Sequence, residues 1–309
     1  MITTVSLNPS IDRTLTVEKL CTGGLNRVES QTDVAAGKGA NAALAAAALG
    51  AEVECIGFMY PDGEGMFRER FRNGGAAASF VMCEGSVRVN QKIFDRTRGE
   101  ITELNGLGAP VTDAQLEAVF DLAARRAARS DWMILTGSLP PGCPADTYQR
   151  MCALAKEKGC RVVLDADGER LRAGLRAKPD LIKPNRYELE MLVGRALPDE
   201  RALLDAARAL VDDGIGVAAV SLGGEGALIV CREGAWRAKP VRVEVKSTVA
   251  AGDSMIAGLT VGLQRGLRVP DAFRLGVAAA TARCATAPDA GLDARTVDLY
   301  ASRVEVEKI

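Results

Sequence analysis

The chain has 309 residues, 48% hydrophobic and 26% charged, with a net charge of −1, the profile of a globular protein long enough for one large domain and an appendage. With 4% aromatic residues and no K/R-rich run, it lacks the means to neutralise a phosphate backbone or stack bases, which excludes nucleic acid as a partner. Histidine is absent, so Ser-His-Asp and Cys-His schemes, His-ligated zinc and phosphohistidine relays are excluded, and any chemistry falls to carboxylates, lysines and backbone dipoles.

In chain order, β-branched runs predict buried strands at 2–7, 53–58, 132–136, 161–165, 180–183 and 217–222. Helical patterns fall at about 40–49, 63–73, 113–129, 145–158, 199–213, 253–266 and 270–287. This alternation predicts an α/β fold, a mostly parallel sheet covered by helices on both faces. Two stretches, about 14–34 and 80–104, break the rhythm with alternating polar and apolar residues. They are expected to form antiparallel strands with one solvated face, a small β-sheet lid inserted in a single domain spanning 1–309. Residues 35–51 are alanine-rich, as a close-packed helix requires.

The first glycine-rich segment, Gly37-Lys38-Gly39-Ala40-Asn41-Ala42, satisfies G-x-G-x-x-A but is not a dinucleotide fingerprint. The first strand runs into Asn8-Pro9-Ser10 instead of the glycines, and the strand at 53–58 does not end on an acidic residue. Nor is it a P-loop, since no Ser or Thr follows Gly37-Lys38. What remains is a helix start with close backbone approach, one cation and one amide, suited to a polyhydroxylated, phosphorylated ligand. Thr136-Gly137-Ser138-Leu139-Pro140-Pro141-Gly142 follows a strand as a stiff polar loop. In Lys183-Pro184-Asn185-Arg186-Tyr187-Glu188, Asn185 and Glu188 share a helix face as hard oxygen ligands that suit Mg²⁺, although Asn followed at the third position by Glu is also a capping box. Ser221-Leu222-Gly223-Gly224-Glu225-Gly226 either cradles a nucleotide or turns into the next strand.

The most informative segment is Lys246-Ser247-Thr248-Val249-Ala250-Ala251-Gly252-Asp253-Ser254, a bend of small residues before an aspartate that opens a long apolar helix. Free N–H groups at a helix start attract phosphate. A carboxylate in the same place is useful if it accepts a proton from a hydroxyl attacking phosphorus, and is otherwise an N-cap. The helix dipole favours its ionised form, so Asp253 is expected to be a weak base.

These loops, each following a strand, converge on the carboxyl edge of one sheet, where such folds bind ligands. Taken in order with Asn8-Pro9-Ser10-Ile11-Asp12, the motifs resemble the PfkB, or ribokinase-like, carbohydrate kinases over nearly the whole chain. Within that family the chain is similar to members acting on fructose 1-phosphate or tagatose 6-phosphate. The resemblance implies ATP- and Mg²⁺-dependent phosphorylation of a sugar hydroxyl, with Asp253 as base and Ala250, Ala251 and Gly252 as anion hole. It implies Asn185 and Glu188 as the magnesium motif, and Lys183, Asn185, Ser221, Gly223, Gly226, Thr248 and Gly252 on the nucleotide side. Asp12, Gly37, Gly39 and Asn41 would contact the sugar. Lys38, Arg88, Asn90 and Ser138 would hold the acceptor's existing phosphate, with Arg27 a further candidate. A homodimer through the lid strands is expected as well.

The family usually reads Gly-Ala-Gly-Asp, and here the first glycine is Ala250. If that position needs positive φ, alanine costs about 1–2 kcal/mol of strain, and a non-catalytic sugar-phosphate sensor stays open. So does a kinase of an unphosphorylated sugar or nucleoside, although Lys38 and Arg88 are two cations that a neutral sugar would not require. The apolar helices are alanine-rich and broken by glycine, too weakly apolar to span a bilayer. The N-terminus lacks a basic region followed by an apolar core. None of the eight cysteines sits at C-x-x-C spacing, so they read as small buried hydrophobes in a reducing cytoplasm.

Overall fold

The computed structural model describes residues 1–287 and 290–309. The chain opens on β1 (Ile2–Ser6), all five residues of which are buried, as expected of a strand covered on both faces. It continues through β2 (Ser10–Val17), β3 (Val28–Ala36), α1 (Lys38–Ala48), β4 (Val53–Met59), α2 (Pro61–Asn73), β5 (Ala77–Met82), β6 (Arg88–Asp95) and β7 (Glu100–Asn105). Regular alternation follows with α3 (Asp113–Ala127), β8 (Trp132–Thr136), α4 (Thr147–Glu157), β9 (Arg161–Asp165), α5 (Gly168–Leu175), β10 (Leu181–Ile182), α6 (Arg186–Val193), α7 (Glu200–Asp212) and β11 (Val217–Ser221). The chain ends with β12 (Ala227–Cys231), β13 (Gly234–Ala238), α8 (Ala251–Gln264), α9 (Val269–Ala285), α10 (Ala294–Ala301) and β14 (Val306–Lys308).

Ten strands form one sheet in the order β14-β13-β12-β11-β10-β9-β8-β1-β4-β5. From β5 to β11 every pairing is parallel, and the edge from β11 to β14 is antiparallel. The carboxyl ends of β1, β8, β9, β10 and β11 therefore lie side by side, which is where the predicted loops had to meet. Helix α1 sits directly on this edge: a Cβ at Gly39 would lie 2.5 Å from the Val5 carbonyl oxygen, so only glycine lets the helix approach β1 that closely. Helix α8 is buried from Asp253 to Gly262 because small residues face α9. Side chains at Gly258 or Gly276 would each meet the opposite helix's backbone oxygen at 2.8 Å.

The lid is a separate four-stranded sheet, β3-β2-β6-β7, and it corrects the expected boundaries. It begins at Ser10 rather than at 14, because only the bend at Leu7-Asn8 and Pro9 separate it from β1. The segment containing Phe80 belongs to β5 of the main sheet, paired with β4. Nor is the lid wholly antiparallel, since β2 and β6 run parallel: the chain leaves for the main sheet between β3 and β6 and returns in the same direction. All six residues of β7 are exposed, so at this edge both faces meet solvent and not only the expected one. Of the cysteines, Cys55, Cys83, Cys152, Cys160 and Cys231 are buried and Cys21 is exposed, so the core-filling reading fails for Cys21, which lies in the β2–β3 connection.

Candidate active site

Asp253 stands in the first turn of α8 with 6% of its surface exposed. Its Oδ2 accepts a 2.9 Å hydrogen bond from Asn41 Nδ2, which brings the starts of α1 and α8 together. The helix dipole favours the ionised carboxylate, but burial outweighs it: desolvation pushes the carboxyl up to about 6, against the pull of Lys38, Asn41 and Lys183. Asp253 is therefore a stronger base than the sequence suggested, because the closed interface between α1 and α8 removes the water that would stabilise its charge.

Asp165, the last residue of β9, is 2% exposed and lies between two lysines, 3.4 Å from Lys38 Nζ and 3.5 Å from Lys183 Nζ. Thr136 Oγ1 donates to it at 3.0 Å. Burial pushes the Asp165 carboxyl up, but Lys183, Lys38 and the threonine together hold it below the ordinary aspartate range. In return Asp165 raises the Lys38 ammonium well above its usual value, so that cation stays charged. Lys183 reaches the start of α8, where a Cβ added at Gly252 would stand 3.3 Å from its Nζ. A buried ammonium thus rests against the first turn of the helix that carries Asp253.

The turn before α8 has an unusual backbone. Ala250 adopts φ 63° and ψ 10°, the left-handed region that alanine enters only with strain. The Ala251 N–H bonds the Thr248 carbonyl at 3.3 Å, and the first intrahelical bond runs from the Ser254 N–H to the Ala250 carbonyl at 2.9 Å. The N–H groups of Gly252 and Asp253 lie between these two, where a helix start has no acceptors of its own.

Away from Asp253, Lys38, Arg88, Ser138 and Asn8 line a cavity of about 150 Å³. Arg88 is fixed by donating Nε to the Asn8 carbonyl at 3.2 Å and Nη1 to the Gly106 carbonyl at 3.1 Å, and burial lowers its pKa. Ser138 Oγ accepts from Asn8 Nδ2 at 3.1 Å, which leaves its own proton to donate. Asp12 on β2 accepts from Asn90 Nδ2 at 3.0 Å and Ser10 Oγ at 3.1 Å, and pairs with Lys92 at 2.7 Å. With its amide N–H group turned to Asp12, Asn90 keeps a buried Oδ1 without a hydrogen bond among the described residues, an acceptor that suits a sugar hydroxyl better than a phosphate. Arg27 is exposed on the β2–β3 connection and joins none of these groups.

On the other side of Lys183, Asn185 and Glu188 form a reciprocal capping box: Asn185 Oδ1 accepts from the Glu188 N–H at 2.8 Å, and Glu188 Oε2 from the Asn185 N–H at 2.9 Å. The bland reading of this pair is thus realised, yet each group keeps a lone pair beyond the cap. Burial raises the Glu188 carboxyl. Asn185 bridges to Ser221 at the end of β11, which joins the two loops. Gly223 has open space where a side chain would be, whereas a Cβ at Gly226 would meet the Ala238 oxygen at 2.3 Å. Gly226 therefore shapes the turn, its N–H bonded to the Gly223 carbonyl at 3.1 Å. Thr248 is exposed in the bend before α8.

Buried base, paired lysines and helix start occupy the edge where the motifs converge, and residues 4–290 match the model of the pfkB family carbohydrate kinases. The chain belongs to that family. It is 37% identical to 1-phosphofructokinase of Rhodobacter capsulatus over 278 residues, covering 90% of this chain and 88% of the relative. The 1-phosphofructokinase of Xanthomonas campestris pv. campestris is 38% identical over 264 residues, 84% of this chain and 83% of its own. Among solved structures, phosphofructokinase-2 from Escherichia coli in complex with potassium superposes with a TM-score of 0.92 at 26% identity, covering 98% of both chains. The ribokinase-like fold and the phosphotransferase class expected from the motifs are borne out.

Three residues in this kinase's site escaped the motifs. Asp165 carried a signal, a carboxylate closing an apolar strand at the sheet's carboxyl edge. Lys92 carried one too, since Arg88, Asn90 and Lys92 recur at period two on one face of β6. Arg70, on α2, carried none. It donates Nη2 to Asn41 Oδ1 at 3.3 Å and Nη1 to the Ala35 carbonyl, contacts that only the tertiary fold creates.

Proposed function

We propose that this kinase transfers the γ-phosphoryl group of ATP to the 6-hydroxyl of fructose 1-phosphate, giving fructose 1,6-bisphosphate and ADP. The observation that carries the reading is the placement of Lys38, which faces Asp165 and Asp253 at the reaction centre and also lines the Arg88 cavity. A phosphate held by Lys38, Arg88 and Ser138 would leave the rest of the sugar directed toward Asp12, Asn41 and Asp253. The relatives named 1-phosphofructokinase support the choice of acceptor.

In this reading the acceptor hydroxyl gives its proton to Asp253 as its oxygen bonds to phosphorus and the bond to the ADP oxygen breaks. Phosphoryl transfer passes through a loose transition state, so positioning and charge neutralisation supply most of the acceleration. Lys183 and the N–H groups of Gly252 and Asp253 are placed to meet the developing charge. The Ala251 N–H, turned back to Thr248, contributes less than the motif implied. Asp165 keeps Lys38 charged and pairs with Lys183. Ser221, Gly223 and Thr248 border the place for the remaining phosphates, and Gly226 holds that loop's shape.

Among the described residues no group of three or more acidic or cysteine side chains could cage a metal. One capped Asn–Glu pair beside substrate phosphates fits Mg²⁺, which keeps several waters and binds through one or two carboxylates. Asn185 and Glu188 would hold it, and a bound cation would supply charge neutralisation at the nucleotide phosphates. No helix among the described residues is long and apolar enough to cross a membrane, and a cytoplasmic location is part of the proposal. So is a homodimer through the lid, where Val28, Ile101 and Leu104 leave half or more of their surface exposed, at 51%, 57% and 55%.

Asp253→Asn keeps the shape and removes the base. With saturating MgATP and fructose 1-phosphate, kcat should fall by about 10² or more with acceptor affinity little changed. Near-normal turnover would reduce Asp253 to a helix-start residue.

A further inference from the structure

We infer that Arg70 is a positioning residue for the transfer step: by donating to the Asn41 amide oxygen it fixes which side of that amide faces Asp253. An asparagine amide has nearly the same shape either way round, and only its hydrogen-bonding groups differ. Arg70 can donate but never accept, and an ionised Asp253 can accept but never donate. Asn41 between them is consistent in one orientation only, Arg70 Nη2 to Asn41 Oδ1 at 3.3 Å and Asn41 Nδ2 to Asp253 Oδ2 at 2.9 Å. The guanidinium is itself held by donation to the Ala35 carbonyl on β3, so α2, β3, α1 and α8 are tied into one chain of polar contacts. Among the described residues this is the sole hydrogen bond of the Asp253 side chain, which commits Oδ2 and leaves Oδ1 for the acceptor hydroxyl.

Without Arg70 the amide is free to turn its oxygen toward the carboxylate, an arrangement tolerated only when Asp253 is protonated. Arg70 thus favours the charged, proton-accepting form of the base. The other charges around Asp253 are Lys38 from α1 and Lys183 from the loop after β10, which favour its ionisation, and Asp165 from β9, which opposes it. Arg70 is faced by Asp12 and Asp253, which stabilise its charge, and by Arg283 of α9, which opposes it; burial acts against the charge most strongly. An arginine tolerates this without losing its proton, and a lysine does so less readily.

The inference rests on Asp253 as the base, and both can be tested in one series: kcat against pH, at saturating MgATP and fructose 1-phosphate, for wild type, Arg70→Met, Arg70→Lys and Asp253→Asn. Wild type should lose activity on an acid limb that reports Asp253 in the complex with both substrates. Arg70→Met should raise the limb by about one unit, so that kcat falls about fivefold at the wild-type midpoint and by less than about 1.2-fold two pH units above it. KM for MgATP should stay unchanged. Arg70→Lys, a donor that holds its proton less readily here, should return the limb part of the way. If Arg70→Met does not fold, Arg70→Gln carries the same expectation, since its amide can donate or accept and no longer selects one face of Asn41. An unmoved limb, with kcat unchanged or lowered equally at every pH, would overturn the inference and make Arg70 a structural tie. An acid limb at the wild-type position that persists in Asp253→Asn would defeat the base assignment itself, whatever Arg70 does.

Discussion

Removing the charge of Asp253 should damage turnover and strengthen the fold. Burial raises this carboxyl from an ordinary value of 3.8 to about 6, and a shift of about two units corresponds to roughly 3 kcal/mol. The sign follows from proton uptake. Between about pH 4 and pH 6 the folded chain holds a proton that the unfolded chain has released, so stability falls as pH rises through that window and stays lowered above it. Asp253→Asn removes this cost while keeping the side-chain size. It should therefore stabilise the protein by up to roughly 3 kcal/mol at pH 7.5, and by well under about 1 kcal/mol near pH 4. At about 2.1 cal/mol/K of unfolding entropy per residue, the neutral-pH gain amounts to a Tm rise of up to about 5 °C. Differential scanning calorimetry at the two pH values reads it directly. A lower Tm at pH 7.5, or the same gain at both pH values, would refute a charge stranded by burial.

Ala250→Gly releases the left-handed alanine, which costs about 1–2 kcal/mol and is offset by about 0.5–1 kcal/mol of glycine backbone entropy. A Tm rise of no more than about 2 °C and a kcat gain under about tenfold are expected, whereas strong rescue of an inactive wild type would favour the sensor reading. Gly252→Ala puts a Cβ 3.3 Å from Lys183 Nζ and should lower kcat by about tenfold or more with acceptor KM little changed; unaltered kcat would mean that Lys183 does not act at this turn. Arg88→Ala should weaken phosphosugar affinity by about tenfold or more, the scale of a charge-assisted hydrogen bond, and ATP affinity much less. Isothermal titration with each ligand measures both, and equal losses would point to a collapsed lid.

The parallel sheet was legible because its strands are apolar runs of β-branched residues bounded by glycine and proline, and the converging loops followed from topology. The lid's limits were not. Phe80 sits in a half-buried edge strand, β5, whose alternation resembles that of a lid strand, and only its pairing with β4 distinguishes the two. Asp12, Lys38, Asn41, Arg88 and Asp253 were visible as polar residues in glycine-rich or alternating segments. Their energetics were less so, because burial is a property of what packs above a residue: the dipole at Asp253 belongs to its own helix, whereas its desolvation comes from the packing around that helix. Ala250 shows the reverse case, where a departure from a motif posed a question that one backbone angle, φ 63°, answered. Arg70 was illegible since its partners lie 29 and 35 positions away in sequence and its helix carries other exposed arginines.

Specificity constants with MgATP distinguish a kinase that holds an already phosphorylated ketohexose from one that takes a free sugar. The acceptors are fructose 1-phosphate, tagatose 6-phosphate, fructose 6-phosphate, free fructose and ribose. Fructose 1-phosphate should give the highest kcat/KM and fructose 1,6-bisphosphate as product. Free fructose or ribose outperforming every phosphosugar would contradict the account.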